Sequence, residues 1–371
     1  MKTLIGLTKD EMSNELKTFE KYRVKQLWNW IYYYGITDFN KMNNLSKDMR
    51  SFLKKNYTLE RPKILKHLVS KDGTQKWLLE FEECDKSVNM KDICDDKITH
   101  ELQQKDTIEM VYIPADDRGT LCISSQIGCS MGCKFCNTGK QGFTRNLTAG
   151  EIVSQLLITR DQLGEWDNLN KAIGEGRMIS NIVLMGMGEP LLNRENVENA
   201  IHIINDPDGI AFSNRRITLS TCGIVPEIKK LDLKVNLALS LHASNDIVRK
   251  QIMPIAEKYN IDETLKVCGE YAKKNSDRRI TFEYILIEGV NDAEKHAHEL
   301  IKLVKKHNLP AKFNLIPFNE WNGCEFKTSK NAIKFAKILT DANYPAPIRR
   351  SMGQDIMAAC GQLKETTKVI K

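Results

Sequence analysis

The chain has 371 residues, of which 41% are hydrophobic and 28% are charged, a composition typical of a soluble globular enzyme with a sizeable core. Its length allows about two or three domains. It contains no apolar run of about 18 residues, which excludes a membrane-spanning helix, and the short apolar start before Lys9 and Asp10 is not a signal-peptide core. We therefore expect a cytoplasmic protein with no membrane partner.

The positive charge of the chain is concentrated at its N-terminus. Lysines and arginines number 55 and acidic residues 48, which gives a net charge of +7. Residues 1–66 contain 14 basic and 7 acidic side chains, so this segment accounts for the whole excess. A basic module on a neutral body indicates a polyanionic partner, although a solvated helical surface would give the same count.

The N-terminal residues have the pattern of short helices. Thr8 and Glu11 have the spacing of a capping box that opens the first helix, and Ser46 caps a helix that ends near Tyr57. Residues 22–34 interleave basic and aromatic side chains, which suits contact with RNA. Apolar residues at helical spacing within that stretch predict a hydrophobic core instead: Val24, Leu27, Trp28 and Ile31.

Two short strands follow, and then a polar segment marks a boundary. Residues 63–82 have strand patterns on either side of a hairpin turn at residues 71–74. Residues 86–106 are polar without sustained periodicity, which predicts a long loop or a partly disordered insertion. We therefore predict a basic accessory domain over residues 1–85 and a catalytic domain over residues 107–371.

From residue 107 onward, apolar β-type runs alternate with helical patterns. Thr148 and Glu151 open one of these helices with a capping box. Repeated βα units predict a parallel sheet or barrel whose site lies at the carboxyl ends of the strands. The predicted strands cover residues 109–113, 120–125, 179–185, 216–220, 235–241, 280–287, 312–316 and 347–351.

Three closely spaced cysteines form the strongest chemical motif. Cys129, Cys133 and Cys136 follow a predicted strand with Cys-x3-Cys-x2-Cys spacing in a glycine-rich loop. A structural zinc site needs a fourth ligand nearby, and none follows closely. Three thiolates on a four-iron cluster leave one iron open for another ligand. The spacing therefore favours a 4Fe-4S cluster over three ordinary structural thiols.

This cysteine spacing, with Phe135 before the last cysteine, resembles the cluster motif of the radical S-adenosylmethionine (SAM) enzymes. Residues 186–190, Gly-Met-Gly-Glu-Pro, are similar to the Gly-Glu-Pro element of that superfamily. The resemblance implies an α/β fold: a partial (β/α)6 barrel over residues 120–353, with a small helical N-terminal accessory domain and a linking β segment. It also implies that the open iron binds SAM and reductively cleaves it to a 5′-deoxyadenosyl radical.

Longer segments narrow the resemblance to one family. Residues 112–126 are similar to the bacterial adenine-2 methyltransferases of 23S ribosomal RNA and transfer RNA. Further segments continue the match: residues 135–143, 145–148, 215–221, 240–243, 253–255 and 358–363. The similarity covers nearly the whole chain, and the N-terminal domain resembles the accessory RNA-binding domain of this family. Residues 86–106 depart from the family pattern, so no function is transferred to them.

Two further cysteines receive catalytic roles from the resemblance. Carbon 2 of adenine lies between two ring nitrogens and is electron-poor, so it cannot attack a methyl sulfonium as a nucleophile. A radical route with covalent catalysis does not require a nucleophilic carbon. By resemblance, Cys360 accepts a methyl group from one SAM, and the radical from a second SAM removes a hydrogen from it. The methylene radical then adds to carbon 2. Cys122 attacks the Cys360 sulfur, which gives a disulfide and the methylated base.

The resemblance places other residues in the site. Glu109 matches an active-site glutamate that contacts the adenine edge or moves a proton, although a lone strand glutamate usually faces solvent. The matched SAM contacts are Gly188, Glu189, Ser220, Ser240, Leu241, His242 and Asn319. Of these, His242 would otherwise be a satisfied strand-end histidine. Five remaining cysteines are interpreted as structural or ordinary thiols: Cys84, Cys94, Cys222, Cys268 and Cys324.

The implied cofactors are one 4Fe-4S cluster and SAM, with two SAM molecules per turnover. The implied partners are 23S ribosomal RNA, transfer RNA and an electron donor such as flavodoxin, with the enzyme a monomer. Two other interpretations remain open. A related enzyme methylates carbon 8 of the same ribosomal adenine with the same cluster and thiols, but residues 113–118 resemble the carbon-2 group. An electron-transfer or structural iron–sulfur protein with an RNA-binding arm would need neither Cys122 nor Cys360.

Overall fold

The computed structural model describes residues 1–81, 106–116, 118–168, 178–276 and 278–363. The predicted insertion at residues 86–106 lies outside these residues except for Asp106, and so do Cys84 and Cys94. The strands, in chain order, are Lys2–Thr3 (β1), Tyr57–Thr58 (β2), Lys63–Val69 (β3), Gln75–Glu80 (β4), Thr107–Ala115 (β5), Arg118–Cys122 (β6), Gln126–Cys129 (β7), Gly142–Asn146 (β8), Asn181–Leu184 (β9), Ile217–Thr221 (β10), Asn236–Ser240 (β11), Ile280–Leu286 (β12) and Ala311–Pro317 (β13).

The α-helices, in chain order, are Lys9–Glu15 (α1), Lys21–Trp28 (α2), Lys47–Asn56 (α3), Ala149–Leu163 (α4), Arg194–Asn205 (α5), Val225–Lys230 (α6), Asp246–Ile252 (α7), Ile261–Lys274 (α8), Glu294–Lys306 (α9) and Ala332–Asp341 (α10). Among the helices of the described residues, none is long and apolar enough to cross a bilayer.

One large sheet organises the fold. Its strands are hydrogen-bonded in the order β13-β12-β11-β10-β9-β6-β5-β4-β3. The six strands β6 and β9 to β13 pair in parallel, and β5, β4 and β3 extend the sheet in antiparallel pairs. Helices α4 to α9 connect successive parallel strands. The predicted partial (β/α)6 barrel with its linking β segment is therefore confirmed.

Helices on the outside of the sheet explain the continuous apolar sequences of its strands. All residues of β12 are buried. Helix α4 begins at the predicted capping box of Thr148 and Glu151, and it ends at Gly164 in the left-handed conformation. Helix α8 has a second capping box, formed by Asn260 and Glu263. Local sequence therefore sets the ends of the helices, and burial against the sheet sets their inner faces.

The strand predicted at residues 347–351 is wrong. This segment runs parallel to β13, where Leu315 donates to the carbonyl of Pro347 at 3.0 Å and accepts from the N–H of Arg349 at 2.7 Å. It forms an isolated bridge to Leu315. Because Pro345 and Pro347 have no N–H group, this segment cannot donate the regular set of ladder hydrogen bonds.

Short helices and the two-stranded sheet of β1 and β2 form the N-terminal part. The helix predicted over residues 22–34 consists of α2 and a π-helix at Asn29–Tyr33. Its predicted core residues are all buried: Val24, Leu27, Trp28 and Ile31. Strands β3 and β4 join the large sheet, and the domain limits at residues 85 and 107 stay predictions.

The N-terminal part packs directly against α4 and the residues after α5. Gly6 has a φ of +94°, and a Cβ atom there would lie 2.2 Å from the Cα atom of Gly150 in α4. Only glycine permits this backbone approach. Lys9 Nζ and Lys25 Nζ each lie 2.8 Å from a carboxylate oxygen of Asp208. Part of the N-terminal positive charge is therefore neutralised within the molecule.

Candidate active site

The predicted site residues gather at the carboxyl ends of the parallel strands. Cys122 is the last residue of β6, and Ser240 is the last residue of β11. Ser220 lies one residue before the end of β10, and Glu189 follows β9 by five residues. This edge is where open α/β sheets bind their ligands.

The cysteine loop, defined as residues 129–141, is held in place by three other parts of the chain. It begins at the end of β7, where Gly128 has a φ of +70° and a Cβ atom would lie 2.1 Å from the carbonyl oxygen of Gly142. Lys134 N–H donates to the carbonyl of Ile252 at 2.9 Å. The indole N–H of Trp321 donates to the carbonyl of Phe135 at 3.0 Å. The loop is therefore fixed before any ligand binds.

The three thiols of this loop suit an iron–sulfur cluster. Burial raises the pKa of Cys129 to about 12, and it also raises the pKa values of Cys133 and Cys136. Among the described residues, no group of three or more His, Cys, Asp or Glu side chains is arranged to hold a metal ion. Thiolates are the ligands of iron–sulfur clusters, and cluster binding displaces their protons. The donor set therefore fits a 4Fe-4S cluster.

Glu189 presents a buried carboxylate beside this loop. Its Oε2 atom accepts from the N–H of Cys222 at 2.8 Å, and its Oε1 atom accepts from the N–H of Leu191 at 3.0 Å. Burial raises the pKa of Glu189, and the N–H of Cys222 acts in the opposite direction. Gly188 precedes it with a φ of +99°, and a Cβ atom there would lie 2.5 Å from Gln126 Cβ. The glycine lets the Glu189 backbone approach β7, and its carboxylate suits an ammonium group.

His242 is a neutral histidine at the end of β11. Burial, together with the charge of Arg249, lowers its pKa to about 3. Its Nδ1 atom accepts from the N–H of Ile285 at 3.1 Å, so Nε2 carries the ring proton. The ring packs edge-on against Phe135 with centroids 4.8 Å apart. His242 is therefore a neutral strand-end histidine whose ring lies against Phe135 of the cysteine loop.

The Cys360 segment, defined as residues 353–363, contacts both the cysteine loop and Asn319. Asn319 Nδ2 donates to the carbonyl of Cys360 at 3.1 Å. Asn137 N–H donates to the carbonyl of Gly361 at 2.8 Å. Thr138 Oγ1 donates to the carbonyl of Leu363 at 2.7 Å. These bonds place Cys360 next to the cysteine loop.

Cys122 and Cys360 are both thiols with raised pKa values. Burial, together with the charge of Cys360, raises the pKa of Cys122 to about 12. Cys360 retains some exposed surface, but burial of its thiol raises the pKa of Cys360 to about 11. Arg349 lowers the pKa of both thiols. The sequence prediction missed Arg349, which lies in the middle of the segment predicted as a strand at residues 347–351.

Glu109 is buried on β5 and borders a cavity. Its Oε1 atom lies 2.8 Å from Lys76 Nζ on β4, so the alternative that Glu109 faces solvent is wrong. The cavity has a volume of about 340 Å³ and is also lined by Lys66, Asn137 and Gln362, a size within the range of small-ligand pockets. A base-sized space therefore lies between β3–β5 and the Cys360 segment. Lys76 was not predicted from the sequence.

The fold and the three-cysteine loop define a radical SAM protein. The sequence model of the radical SAM superfamily matches residues 123–304, and a second model, described as the ribosomal RNA large subunit methyltransferase N-terminal domain, matches residues 2–59. Relatives that match nearly the full length of the chain show that it belongs to the dual-specificity RNA methyltransferase RlmN family.

Individual relatives cover nearly the whole chain. The dual-specificity RNA methyltransferase RlmN of Ruegeria pomeroyi is 47% identical over 98% of this chain and 90% of that protein. The protein of the same name from Rhizobium meliloti is 46% identical over 99% of this chain and 88% of that protein. The crystal structure of a radical SAM methyltransferase from Sphaerobacter thermophilus has a TM-score of 0.85 and 35% identity, covering 99% of this chain and all of that one.

Proposed function

We propose that this protein methylates carbon 2 of adenine in 23S ribosomal RNA and in transfer RNA, with Cys360 as the methyl carrier and Cys122 as the resolving thiol. One observation carries this proposal. The Cys360 segment is hydrogen-bonded to the cysteine loop, at the edge of the sheet where Cys122 ends β6. A protein that only carries electrons needs neither thiol.

The cysteine loop supplies the reducing centre. When bound to Cys129, Cys133 and Cys136, a 4Fe-4S cluster provides the electron that cleaves SAM to a 5′-deoxyadenosyl radical. The chain orients SAM with the carboxylate of Glu189 toward its ammonium group. The proposed additional contacts are Gly188, Ser220, Ser240, Leu241, His242 and Asn319. His242 acts as a neutral hydrogen-bond donor because its pKa is lowered to about 3.

Cys360 forms the covalent link to the substrate. Its sulfur takes the methyl group of one SAM, releases its proton, and leaves S-adenosylhomocysteine. The radical from a second SAM then removes a hydrogen atom from that methyl group, and the carbon bonds to carbon 2 of adenine. This scheme uses two SAM molecules in each turnover.

Cys122 releases the product. Its thiolate attacks the Cys360 sulfur, an S–S bond forms, and the C–S bond to the methylene carbon breaks. That carbon becomes the methyl group after the proton of carbon 2 moves to it and one electron leaves the ring, for which an oxidised cluster held by Cys129, Cys133 and Cys136 would be the acceptor. An external reductant must cleave the Cys122–Cys360 disulfide before the next turnover. Arg349 favours the attack because its charge lowers the pKa of the Cys122 thiol.

Glu109 is proposed to bind the edge of the target adenine or to move the proton of carbon 2. Its carboxylate borders the cavity next to the Cys360 segment, which supports a contact with a base that approaches the thiol through this cavity. The base must leave its stack to enter, at a cost of about a few kcal/mol. Phosphate contacts by the basic residues 1–85 offset that cost.

The remaining parts of the proposal concern partners and location. We infer that an electron donor such as flavodoxin reduces the cluster and that the enzyme acts as a monomer in the cytoplasm. The net charge of +7 and its concentration at the N-terminus support RNA as the polyanionic partner.

Mass spectrometry of nucleosides tests the proposed product. Ribosomal RNA and transfer RNA that lack the modification are incubated with the reconstituted, reduced protein and SAM, then digested. We expect 2-methyladenosine from both RNAs. Formation of 8-methyladenosine would support the carbon-8 alternative, and SAM cleavage without a methylated nucleoside from either RNA would contradict the proposal.

A further inference from the structure

The ammonium group of Lys76 connects two parts of the proposed site. Lys76 is only 7% exposed, and its Nζ atom lies 2.8 Å from Glu109 Oε1. The same Nζ atom donates to the carbonyl of Met357 at 3.1 Å. Met357 lies in the Cys360 segment and has a φ of +53°. One buried charge therefore contacts the carboxylate at the cavity and the backbone that leads to Cys360.

Strand pairing explains how Lys76 reaches Glu109. In the antiparallel pair of β4 and β5, Leu78 lies opposite Glu109 and Lys76 lies opposite Val111. Lys76 and Glu109 are therefore diagonal neighbours on the same face of the sheet, within reach of a long side chain. Their ion pair is a consequence of register, and a shift of one residue would turn one side chain to the other face.

The turn between β3 and β4 also holds the Cys360 segment. Ser70 Oγ donates to Asp355 Oδ1 at 2.5 Å, and Lys71 N–H donates to Asp355 Oδ2 at 3.2 Å. Gly353 N–H donates to Asp72 Oδ2 at 2.8 Å. With the bond from Lys76, the β3–β4 hairpin thus makes four hydrogen bonds to the Cys360 segment.

We propose that Lys76 is a positioning residue that fixes Glu109 and the Cys360 segment relative to each other, with the β3–β4 turn holding the segment at its other end. This inference rests on the proposed function of Glu109 and Cys360. Loss of Lys76 removes a charged partner at 2.8 Å from the buried Glu109 carboxylate, which is costly in a buried place, so the carboxylate shifts. It also frees the backbone at Met357, three residues before the methyl-carrying thiol.

Steady-state kinetics of RNA methylation test the proposal. We expect Lys76→Met to lower kcat about 100-fold, because a misplacement of about 1 Å has an effect of this size, with the KM for RNA and its salt dependence unchanged. Lys76→Arg should recover most of the loss. Lys337→Met is the control, because it breaks an exposed Lys337–Asp341 ion pair of 2.7 Å on α10, outside the basic N-terminal residues; kcat should stay within about twofold.

A double-mutant cycle separates positioning from other roles. If Lys76 acts through Glu109, Lys76→Met should lower kcat far less in a Glu109→Gln background than in the wild type. Fully additive effects would contradict the proposal. A raised KM with a smaller salt slope and normal kcat would also contradict it, because that pattern marks a direct phosphate contact.

A second variant keeps the test valid if Lys76→Met fails to fold. Asp355→Asn weakens the contacts of the turn while leaving the Lys76–Glu109 pair, and we expect about a tenfold slower methylation of Cys360, measured by mass spectrometry without RNA. A wild-type rate would overturn the proposed role of the turn.

The proposed function itself fails under a different result, namely RNA methylation by Cys360→Ala or normal kcat in Glu109→Gln.

Discussion

The backbone N–H of Asn137 donates to the carbonyl oxygen of Gly361 at 2.8 Å. Asn137 directly follows a predicted cluster ligand, and Gly361 directly follows Cys360. The bond therefore links the cysteine loop, the proposed reducing centre, to the segment that holds Cys360, the proposed methyl carrier. Radical transfer requires such fixed geometry, since the reacting atoms must meet without an intervening solvent.

We expect Asn137→Ala to slow RNA methylation about fivefold. The substitution removes the side-chain bond from Asn137 Nδ2 to the carbonyl of Gln362, which is 3.1 Å long, and leaves the backbone bond. A hydrogen bond contributes about 1 kcal/mol, which corresponds to that change in rate. Initial rates are compared at equal iron content. A rate equal to that of the wild type would show that this bond does not position the thiol.

We expect Cys129→Ala, Cys133→Ala and Cys136→Ala each to abolish reductive cleavage of SAM, because a cluster that lacks one of three thiolate ligands is not held in the loop. The measurement is the yield of 5′-deoxyadenosine from anaerobically reconstituted protein. Cys268→Ala is the control, since this thiol is buried in α8 and has no proposed role. Cleavage retained in all three loop variants would refute the cluster assignment.

The release of product should accelerate with pH. The Cys122 thiol has a pKa raised to about 12, so between pH 7 and 9 its thiolate fraction increases about tenfold per pH unit. We expect the decay of the covalent RNA adduct to follow this increase. Arg349→Met should slow the decay at each pH, because the charge of Arg349 lowers the pKa of Cys122. Single-turnover decay that is independent of pH would contradict attack by this thiolate.

RNA affinity should depend on exposed lysines of the N-terminal part. Lys21, Lys54 and Lys55 are exposed, and we expect their replacement by glutamine to reduce the slope of log affinity against log salt by about 0.7 to 0.9 per lost phosphate contact. Lys25→Gln is the matched control, because Lys25 is bound to Asp208 at 2.8 Å. Filter binding across a salt titration gives the slopes. An unchanged slope in the triple variant would assign RNA binding to another surface.

Much of the fold and the site could be predicted because the relevant information is local. Each of these features is defined by residues that are close in sequence. This holds for the cysteine spacing, for the capping box of Thr148 and Glu151, and for each apolar strand. Parallel βα units then place strand ends at one edge, so Cys122 and Ser240 lie at the same edge of the sheet without further information. The strand predicted at residues 347–351 failed because Pro345 and Pro347 lack the N–H groups that a continuous ladder with β13 needs, so only an isolated bridge forms.

The contacts of Lys76 could not be predicted from the sequence. Its bond to Met357 joins residues 281 positions apart, and its pairing with Glu109 depends on the register of β4 against β5. No sequence motif marks the Lys76–Met357 bond or the Lys76–Glu109 pair. Arg349 is similar, since its effect on Cys122 arises only after the chain has completed the sheet and returned along β13. Such residues are found through tertiary structure.

The most direct test of the account is the covalent adduct between protein and RNA. Cys122→Ala and Cys360→Ala are each incubated with SAM, reductant and substrate RNA, then separated on denaturing gels and identified by mass spectrometry. The account predicts that Cys122→Ala accumulates RNA bound through Cys360, whereas Cys360→Ala neither gains a methyl group nor forms the adduct. Normal turnover by Cys122→Ala without trapped RNA, or an adduct in Cys360→Ala, would contradict it.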